Sequence, residues 1–191
     1  MAKGVGKRGS SWSSKKWYQI MTSPEFGQKL IGETCADDSS KLVGRTIEVS
    51  FGELEGDFTN QNIKLMFKVN EVSGENAYTQ FMGYTLTKEY LRSLIKRKAT
   101  KVDVNIKATT RDGRVLRVKP SCFTVKRARS SHIKAIREVM EGVVKKRAGE
   151  LSFQNLIEEM VSGKLAYQIY KEVKHIYPLR KVEIRKSQIL D

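Results

Sequence analysis

The stretch that decides the fold is residues 102–147, which read VDVNIKATTRDGRVLRVKPSCFTVKRARSSHIKAIREVMEGVVKKR. Apolar and polar residues alternate over residues 102–108, a period of two that is typical of a half-buried strand. The dipeptide Asp112-Gly113 comes next, and a second apolar segment follows it. Asp-Gly between two such segments is a strong signal of a tight turn. The first half of the stretch therefore predicts a β-hairpin.

The register of this hairpin follows from its apolar side chains. A two-residue loop would set Ile106 opposite Lys119, whereas a three-residue loop, residues 111–113, makes one face of the hairpin apolar. The pairs in the second register are Ala108 with Leu116, Ile106 with Val118 and Val104 with Pro120. We therefore predict the three-residue loop, in which Gly113 takes the left-handed position of a type I turn followed by a G1 bulge.

The opposite face of the hairpin carries Lys107, Arg117 and Lys119. Such a basic face is suited to contact with nucleic acid, because lysine and arginine neutralise phosphate. An ordinary solvated face would carry the same residue types. The hairpin alone leaves both interpretations open.

The second half of the stretch predicts an amphipathic helix. Apolar residues recur at helical spacing after Ser130 and Ser131, either of which can cap the helix. They are Ile133, Ile136, Val139, Met140, Val143 and Val144. Basic residues at the C-terminal end favour the helix dipole, and Gly149 is a natural stop.

The rest of the chain predicts further strands and helices. Predicted strands lie at residues 29–34, 45–51, 63–72, 77–82 and 181–185, with an acidic loop at 52–61. Predicted helices begin at Thr87 and at Ser152, and another covers residues 164–175. Short strands with turns at regular spacing favour a barrel or a sandwich. We therefore predict an α+β protein with an antiparallel β-barrel-like body and several helices.

The charge of the chain is high and unevenly distributed. The 191 residues carry a formal net charge of +15, with a pI near 9.8. A protein this basic usually meets a polyanion, and RNA, DNA and a membrane surface are the candidates. Residues 33–75, however, carry four basic and nine acidic side chains. We expect that section to face solvent or basic neighbouring proteins, so only part of the surface should meet nucleic acid.

The first 16 residues predict a basic N-terminal arm. They are rich in Gly, Ser, Lys and Arg, and they hold too few apolar residues to offset the entropy of ordering, so we expect the free arm to be intrinsically disordered. Trp12, Trp17 and Tyr18 add aromatic rings among these charges. The rings suit stacking on unpaired bases, but for Trp17 and Tyr18 we favour docking of the arm on the body.

Signals of a metal, a cofactor or catalysis are missing from the sequence. Its cysteines and histidines are Cys35, Cys122, His132 and His175, and none of them lie at the spacing of zinc ligands. No phosphate-binding loop, nucleophile with a neighbouring base, or membrane-length apolar run is evident. We therefore expect no metal, no cofactor, no enzymatic activity and no membrane contact, and a cytoplasmic location.

Four motifs in order resemble one family. The hairpin segment VDVNIKATTRDGRVLRV (102–118) with CFTVKR (122–127) is similar to the archaeal and eukaryotic small-subunit ribosomal protein family of the S-three-a-e (e-S-one) type. KKWYQI (15–20), GRTIEVSFGEL (44–54) and IYPLRKVEIRK (176–186) resemble its entry segment, first strand and last segment. The resemblance covers nearly the whole chain, and the missing lysine-rich tail of eukaryotic members suggests an archaeal one.

The resemblance implies a function and partners. It implies a structural constituent of the small ribosomal subunit that binds small-subunit rRNA on the platform, near the 3′ end of that RNA and the mRNA exit. Neighbouring platform proteins, and messenger RNA near the exit, are the further partners it suggests. The alternative is a free RNA-binding or RNA-chaperone module. An enzyme acting on nucleic acid fits less well, because the acidic residues cluster in 33–75, apart from the basic ones.

We divide the chain into a basic arm (1–16), a mainly antiparallel β body with one helix (17–125) and a mainly helical part with a short final strand (126–191). The predicted RNA-binding residues are basic side chains of five segments. These segments are the arm, the end of the first predicted helix, the hairpin, the connector after the hairpin and the helix that follows it. The residues are Lys3, Lys7, Arg8, Lys15, Lys16, Lys96, Arg97, Lys98, Lys107, Arg111, Arg114, Arg117, Lys119, Lys126, Arg127, Arg129, Lys134, Arg137, Lys145, Lys146 and Arg147.

Overall fold

A computed structural model describes residue 12 and residues 15–56 and 60–190. Over these residues the α+β class is confirmed, with nine strands in a sheet that is not closed and five α-helices. The strands are β1 (Lys16–Met21), β2 (Leu30–Ala36), β3 (Thr46–Ser50), β4 (Ile63–Ser73), β5 (Asn76–Leu86), β6 (Lys101–Asp103), β7 (Ile106–Thr109), β8 (Val115–Thr124) and β9 (Leu179–Ile189). The helices are α1 (Phe51–Glu55), α2 (Lys88–Leu94), α3 (Ser130–Glu150), α4 (Phe153–Val161) and α5 (Lys164–Val173).

The chain forms two compact units. The first unit comprises Met1–Glu48 and Phe67–Phe81, and the second comprises Val49–Met66 and Met82–Asp191. Strands β4 and β5 each contribute residues to both. The predicted arm lies largely outside the described residues, and the division of the chain into three parts stays a prediction. No helix in the described part of the chain is long and apolar enough to cross a membrane.

The first unit is built around strand β1. Strand β2 pairs with β1 antiparallel on one side, and β5 pairs with it in parallel on the other. Tyr18 and Ile20, two residues apart on β1, point to the same face and are buried in a cluster with Leu42. A parallel pair inside an otherwise antiparallel meander was not predicted, because it joins strands that are nearly sixty residues apart.

The second unit is built around strand β8. Strand β9 pairs with β8 on one side, and β6 and β7 pair with it on the other. Helix α3 packs on β7, and its buried residues Ile136, Met140, Val144 and Ala148 form a single stripe with a spacing of four. The Sγ atom of Cys122 on β8 lies 3.3 Å from the Sδ atom of Met140.

The hairpin has the predicted register. Ala108 pairs with Leu116 and Ile106 with Val118. The N–H of Val104 donates to the carbonyl oxygen of Pro120 at 3.2 Å, which continues the same register. The loop is residues 111–113, closed by a hydrogen bond from the N–H of Gly113 to Thr110, and Gly113 has a φ of 79°. The apolar pattern was sufficient to predict this register, because a shift of the pairing by one residue would bury Lys119 and Arg117.

Replacing Gly113 with valine should destabilise the protein by about 1–3 kcal/mol, because a β-branched residue resists a positive φ. The expected measurement is a lower midpoint in chemical denaturation of the purified protein. Gly113 is exposed and a Cβ there would meet no atom within 4 Å, so backbone strain is the whole of the expected effect. An unchanged midpoint would contradict the turn.

Several boundaries differ from the sequence-based predictions. Strand β9 has eleven residues and not five, because its polar residues 186–188 continue the pairing with β8, which their side chains do not signal. Helix α3 passes Gly149 to end at Glu150, and its N-cap is Arg129 and not a serine. The predicted acidic loop after β3 begins with α1. The cap of α4 is Ser152 as predicted, and it accepts a hydrogen bond from the N–H of Asn155.

The two thiols should react at very different rates. Burial raises the pKa of Cys122 to about 12, so its thiol stays neutral and enclosed at pH 8. Cys35 is only partly buried. A disulfide reagent at pH 8 should therefore label Cys35 in the native protein and Cys122 only after a denaturant is added. Rapid labelling of both thiols in the native state would contradict the packing of Cys122 on Met140.

Candidate nucleic-acid interface

A group of four cationic side chains lies on one face of the sheet in the second unit. Lys107 on β7 pairs with Arg117 on β8, and Lys119, two residues further along β8, pairs with Lys186 on β9. Since residues two apart on a strand share a face, all four side chains point to the same side. We call these four residues the basic sheet face. It confirms that the three predicted cations of the hairpin share a face, and it adds Lys186 to them.

The basic sheet face places like charges directly opposite each other in two neighbouring pairs. Directly opposed like charges destabilise a sheet. None of the four residues forms an ion pair within the described chain. The Nε atom of Arg117 is buried and has no hydrogen-bond partner among the described residues. An anion bound over this face would relieve the repulsion between both pairs and satisfy the guanidinium of Arg117.

At one end, the basic sheet face lies next to an acidic residue that already pairs with neighbouring cations. Asp103 on β6 pairs with Lys101 at 2.9 Å, and Arg185 on β9 lies 4.0 Å from it. Burial alone would raise the pKa of Asp103, but the hydrogen bond from Ser121 and the pairing with Lys101 outweigh it and lower that pKa. These cations are therefore already neutralised, and the face available to an external anion lies towards the hairpin.

A second cationic group, which we call the basic corner, comes from two segments that are distant in sequence. Its members are Lys96, Arg97, Lys98, Lys126, Arg127 and Arg129, and all six are exposed. Thr100 and Thr124 join the two segments, because the N–H of Thr100 donates to Oγ1 of Thr124 at 2.8 Å. The N–H of Ala128 in turn donates to Oγ1 of Thr100 at 3.0 Å. Within the described residues no member of the basic corner has an ion-pair partner.

The tip of the hairpin is fastened to the start of α4. The Oδ2 atom of Asp112 accepts a hydrogen bond from the N–H of Phe153 at 2.6 Å, so a turn residue also caps a helix. The guanidinium of Arg114 lies 4.5 Å from the centre of the Phe153 ring. Arg111 remains exposed. Sequence reasoning identified Asp112 only as a turn residue, because nothing in the local pattern shows which helix the tip meets.

Helix α3 contributes both free and neutralised cations. Lys134, Arg137 and Lys146 are exposed. Lys145 pairs with Glu141 at 2.6 Å. Arg147 contacts Glu159 at 2.6 Å and Glu150 at 3.1 Å. These last two cations are therefore partly occupied within the protein.

The remaining predicted residues belong to the arm. The Nζ atom of Lys15 lies 4.2 Å from the ring centre of Trp12, and Lys16 is exposed at the start of β1. Lys3, Lys7 and Arg8 lie outside the described residues. No cluster of His, Cys, Asp and Glu able to hold a metal ion occurs over residues 15–56 and 60–190.

Similarity to known proteins agrees with the four motifs found in the sequence. Residues 3–191 match the family described as the Ribosomal S3Ae family. This chain belongs to that family.

Three curated relatives of this S3Ae-family chain carry the same name, small ribosomal subunit protein eS1. The protein of Methanothrix thermoacetophila is 47% identical over 190 residues, which cover 100% of this chain and 90% of that protein. The protein of Archaeoglobus fulgidus is 47% identical over 94% of this chain and 86% of its own length. The protein of Methanoculleus marisnigri is 40% identical over 98% and 95%. These organisms are archaea, which confirms the expected archaeal type. The family is one of structural ribosomal proteins and not of enzymes.

The charge of this S3Ae-family chain is divided between its units. Over the described residues the second unit holds 27 lysines and arginines against 12 acidic residues, whereas the first unit holds six against seven. The basic sheet face and the basic corner both belong to the second unit. Over the described residues, the excess of positive charge therefore lies in the second unit.

Lys186 is the residue of the basic sheet face that sequence reasoning missed. Apolar and polar residues alternate along the last segment, and this pattern placed Arg185 on the polar face of a predicted short strand. The pairing of β8 with β9 shifts between Lys119 and Pro120, so that Lys186, and not Arg185, lies opposite Lys119. A bulge of this kind changes which residue of one strand lies opposite a given residue of the next, and the sequence of the strand does not show where it occurs.

Proposed function

We propose that the chain is a structural constituent of the small ribosomal subunit that binds its rRNA through the basic sheet face and the basic corner. Membership of the Ribosomal S3Ae family supports the ribosomal role. The observation that supports these particular surfaces is the pair of opposed like charges, Lys107 with Arg117 and Lys119 with Lys186. Phosphates placed between such cations remove a repulsion that the free protein carries.

The binding mode follows from the kinds of side chain at these surfaces. Lysine and arginine on a sheet face and on exposed loops pair with backbone phosphates, which fixes the position of the RNA without reading its sequence. Arginine also offers a planar fork that holds phosphate with two hydrogen bonds. The protein therefore fixes the position of the RNA through contacts with its phosphate backbone.

We further propose a place on the platform of the subunit, near the 3′ end of the RNA and the mRNA exit. This rests on the resemblance of the four sequence motifs to the family and on the names of the relatives, which are small-subunit proteins. Platform proteins are then the protein neighbours, messenger RNA is a further contact near the exit, and the protein works in the cytoplasm.

Co-sedimentation with small subunits tests this function against that of a free RNA-binding module. The tagged chain, expressed in an archaeal host, should remain with the small subunit through a density gradient run at low salt, where phosphate contacts are strong. Reversing two opposed cations, Lys119→Glu with Lys186→Glu, should lower its occupancy of subunits by about tenfold or more, because phosphate contacts become repulsions.

The matched control reverses two exposed lysines of β4, Lys64→Glu with Lys68→Glu, which form no ion pair among the described residues and make the same change in net charge. This control should enter subunits at the wild-type level. A wild-type chain found only as free protein or on unrelated RNA would contradict the ribosomal role. Equal loss of both double variants would contradict the assignment of the RNA contact to the basic sheet face.

A further inference from the structure

The outer face of the sheet in the first unit carries large apolar side chains in contact with solvent. Trp17 on β1 is 61% exposed, Leu30 on β2 is 54% exposed and Tyr78 on β5 is 36% exposed. The strand register places Leu30 and Tyr78 on either side of Met21, and Trp17 lies on the same face of β1, four residues from Met21. Large exposed apolar side chains that share one face of a sheet are typical of a binding surface.

The opposite face of the same strands already holds the core of the unit. Tyr18, Ile20 and Ala77 are 6%, 4% and 0% exposed. The core of the unit therefore lies on the opposite face of these strands from Trp17 and Tyr78. Tryptophan and tyrosine are enriched at protein interfaces, where each contributes a large contact area at a small loss of conformational freedom.

The charges around this face favour a basic partner. Gln19 lies between Glu33 on β2 and Asn76 on β5, in the middle of the face. Glu33 is exposed and has no ion-pair partner within the described residues. Over its described residues, the first unit has six basic and seven acidic side chains, so this part of it has no excess of positive charge to attract phosphate. Lysine or arginine of another protein would complement Glu33, whereas an RNA backbone would be repelled by it.

Strand β2 lies at the edge of the sheet, which suits an extended partner. Among the described residues it pairs only with β1. Arg45 donates from Nη1 to the carbonyl oxygen of Cys35 at 3.3 Å and so occupies the C-terminal end of this edge. The part of β2 near Leu30 remains open. An open edge offers backbone hydrogen bonds to an added strand, and apolar side chains beside it give specificity.

We propose that this face is a docking surface for an extended, basic segment of another protein. Apolar side chains of that segment cover Trp17, Leu30 and Tyr78, and a lysine or arginine of the segment meets Glu33. The proposal concerns the first unit and goes beyond the RNA contacts of the second.

A photo-crosslinking amino acid at position 17 tests the proposal in the complete protein. Trp17 is exposed, so the change should leave the fold intact, which circular dichroism can verify. After irradiation in cells, the crosslinked peptide should be identified by mass spectrometry as a lysine- and arginine-containing segment of one other protein. Crosslinks to RNA, to a second copy of the chain or to residues 1–14 of the same chain, or an absence of crosslinks, would overturn the proposal.

A charge reversal on the same face distinguishes docking from chance proximity. Glu33→Lys should lower the yield of that crosslink by about fivefold, which corresponds to the loss of one exposed charge pair. Glu48→Lys, at an exposed position on β3, is the matched control and should leave the yield unchanged. An equal yield with Glu33→Lys would show that the segment is not basic or does not meet this face. Because the basic sheet face is unaltered in both variants, co-sedimentation with the subunit tests the proposed function separately.

Discussion

Gly83→Ala should destabilise the protein by about 2–6 kcal/mol, the largest single effect that we expect from one methyl group. An ideal Cβ at Gly83 would lie 2.2 Å from the carbonyl oxygen of Ser187 and 2.9 Å from its carbonyl carbon, and both are backbone atoms of β9. The φ of Gly83 is +147°, which other residues rarely adopt. Overpacking and backbone strain each cost about 1–3 kcal/mol.

The damage should extend beyond Gly83 itself because the next residue anchors the two strands. Tyr84 is 2% exposed, and its hydroxyl donates to the carbonyl oxygen of Ile184 at 3.0 Å. Its N–H donates to Oγ of Ser187 at 3.2 Å. Moving β9 away from an alanine at position 83 would weaken both hydrogen bonds. At about 2–4 °C per kcal/mol for a chain of this size, the melting temperature should fall by roughly 4–24 °C.

A glycine-to-alanine substitution in helix α3 provides a control, for which we expect the opposite effect on stability. Gly142 is exposed, and a Cβ there would meet no atom within 4 Å. Gly142→Ala should therefore stabilise the protein by up to about 1 kcal/mol, because alanine favours the helix. A melting temperature of Gly83→Ala within about 2 °C of the wild type would contradict the close approach of β5 and β9.

Affinity for small-subunit rRNA should fall about 10³–10⁵-fold between 50 and 200 mM salt, if six to ten cations pair with phosphates. Between residues 85 and 147 the chain has nineteen basic and five acidic side chains, which provides enough cations for this number. Each neutralised phosphate releases bound counterions, so the logarithm of affinity falls linearly with the logarithm of salt concentration. Filter binding at several salt concentrations measures the slope.

Removing two cations of the basic corner should reduce that slope. Lys96→Gln with Lys126→Gln should make the slope smaller by roughly 1.4–1.8, since each contact contributes about 0.7–0.9. Lys64→Gln with Lys68→Gln, at two exposed positions on β4, changes the net charge equally and should leave the slope unchanged. A salt response that is nearly flat, or equally reduced in both variants, would contradict binding through the basic corner.

The hairpin was predictable from the sequence because its information is local. Asp112-Gly113 marks the turn, and the burial of Ile106 and Ala108 excludes a one-residue slip. The central part of α3 was predictable for a similar reason, since a stripe with helical spacing survives small errors in the ends of the helix. Its end at Glu150 was not predictable, because the hydrogen bonds of the last turn continue past Gly149.

The candidate interface was only partly predictable because long-range pairing assembles it. Lys107, Arg117 and Lys119 share a face by hairpin geometry alone. The addition of Lys186 depends on a strand almost seventy residues further along the chain and on an irregularity of register. The basic corner depends on hydrogen bonds between Thr100 and Thr124, which no local pattern predicts.

A map of protein–RNA crosslinks on purified small subunits tests most directly the central claim, which is that the second unit holds the RNA. We expect crosslinked peptides from β8, from residues 96–98 and from residues 126–129, and none from residues 17–48 or 67–81. Crosslinks concentrated in those two ranges of the first unit, with β8 and the basic corner free of RNA, would contradict the claim.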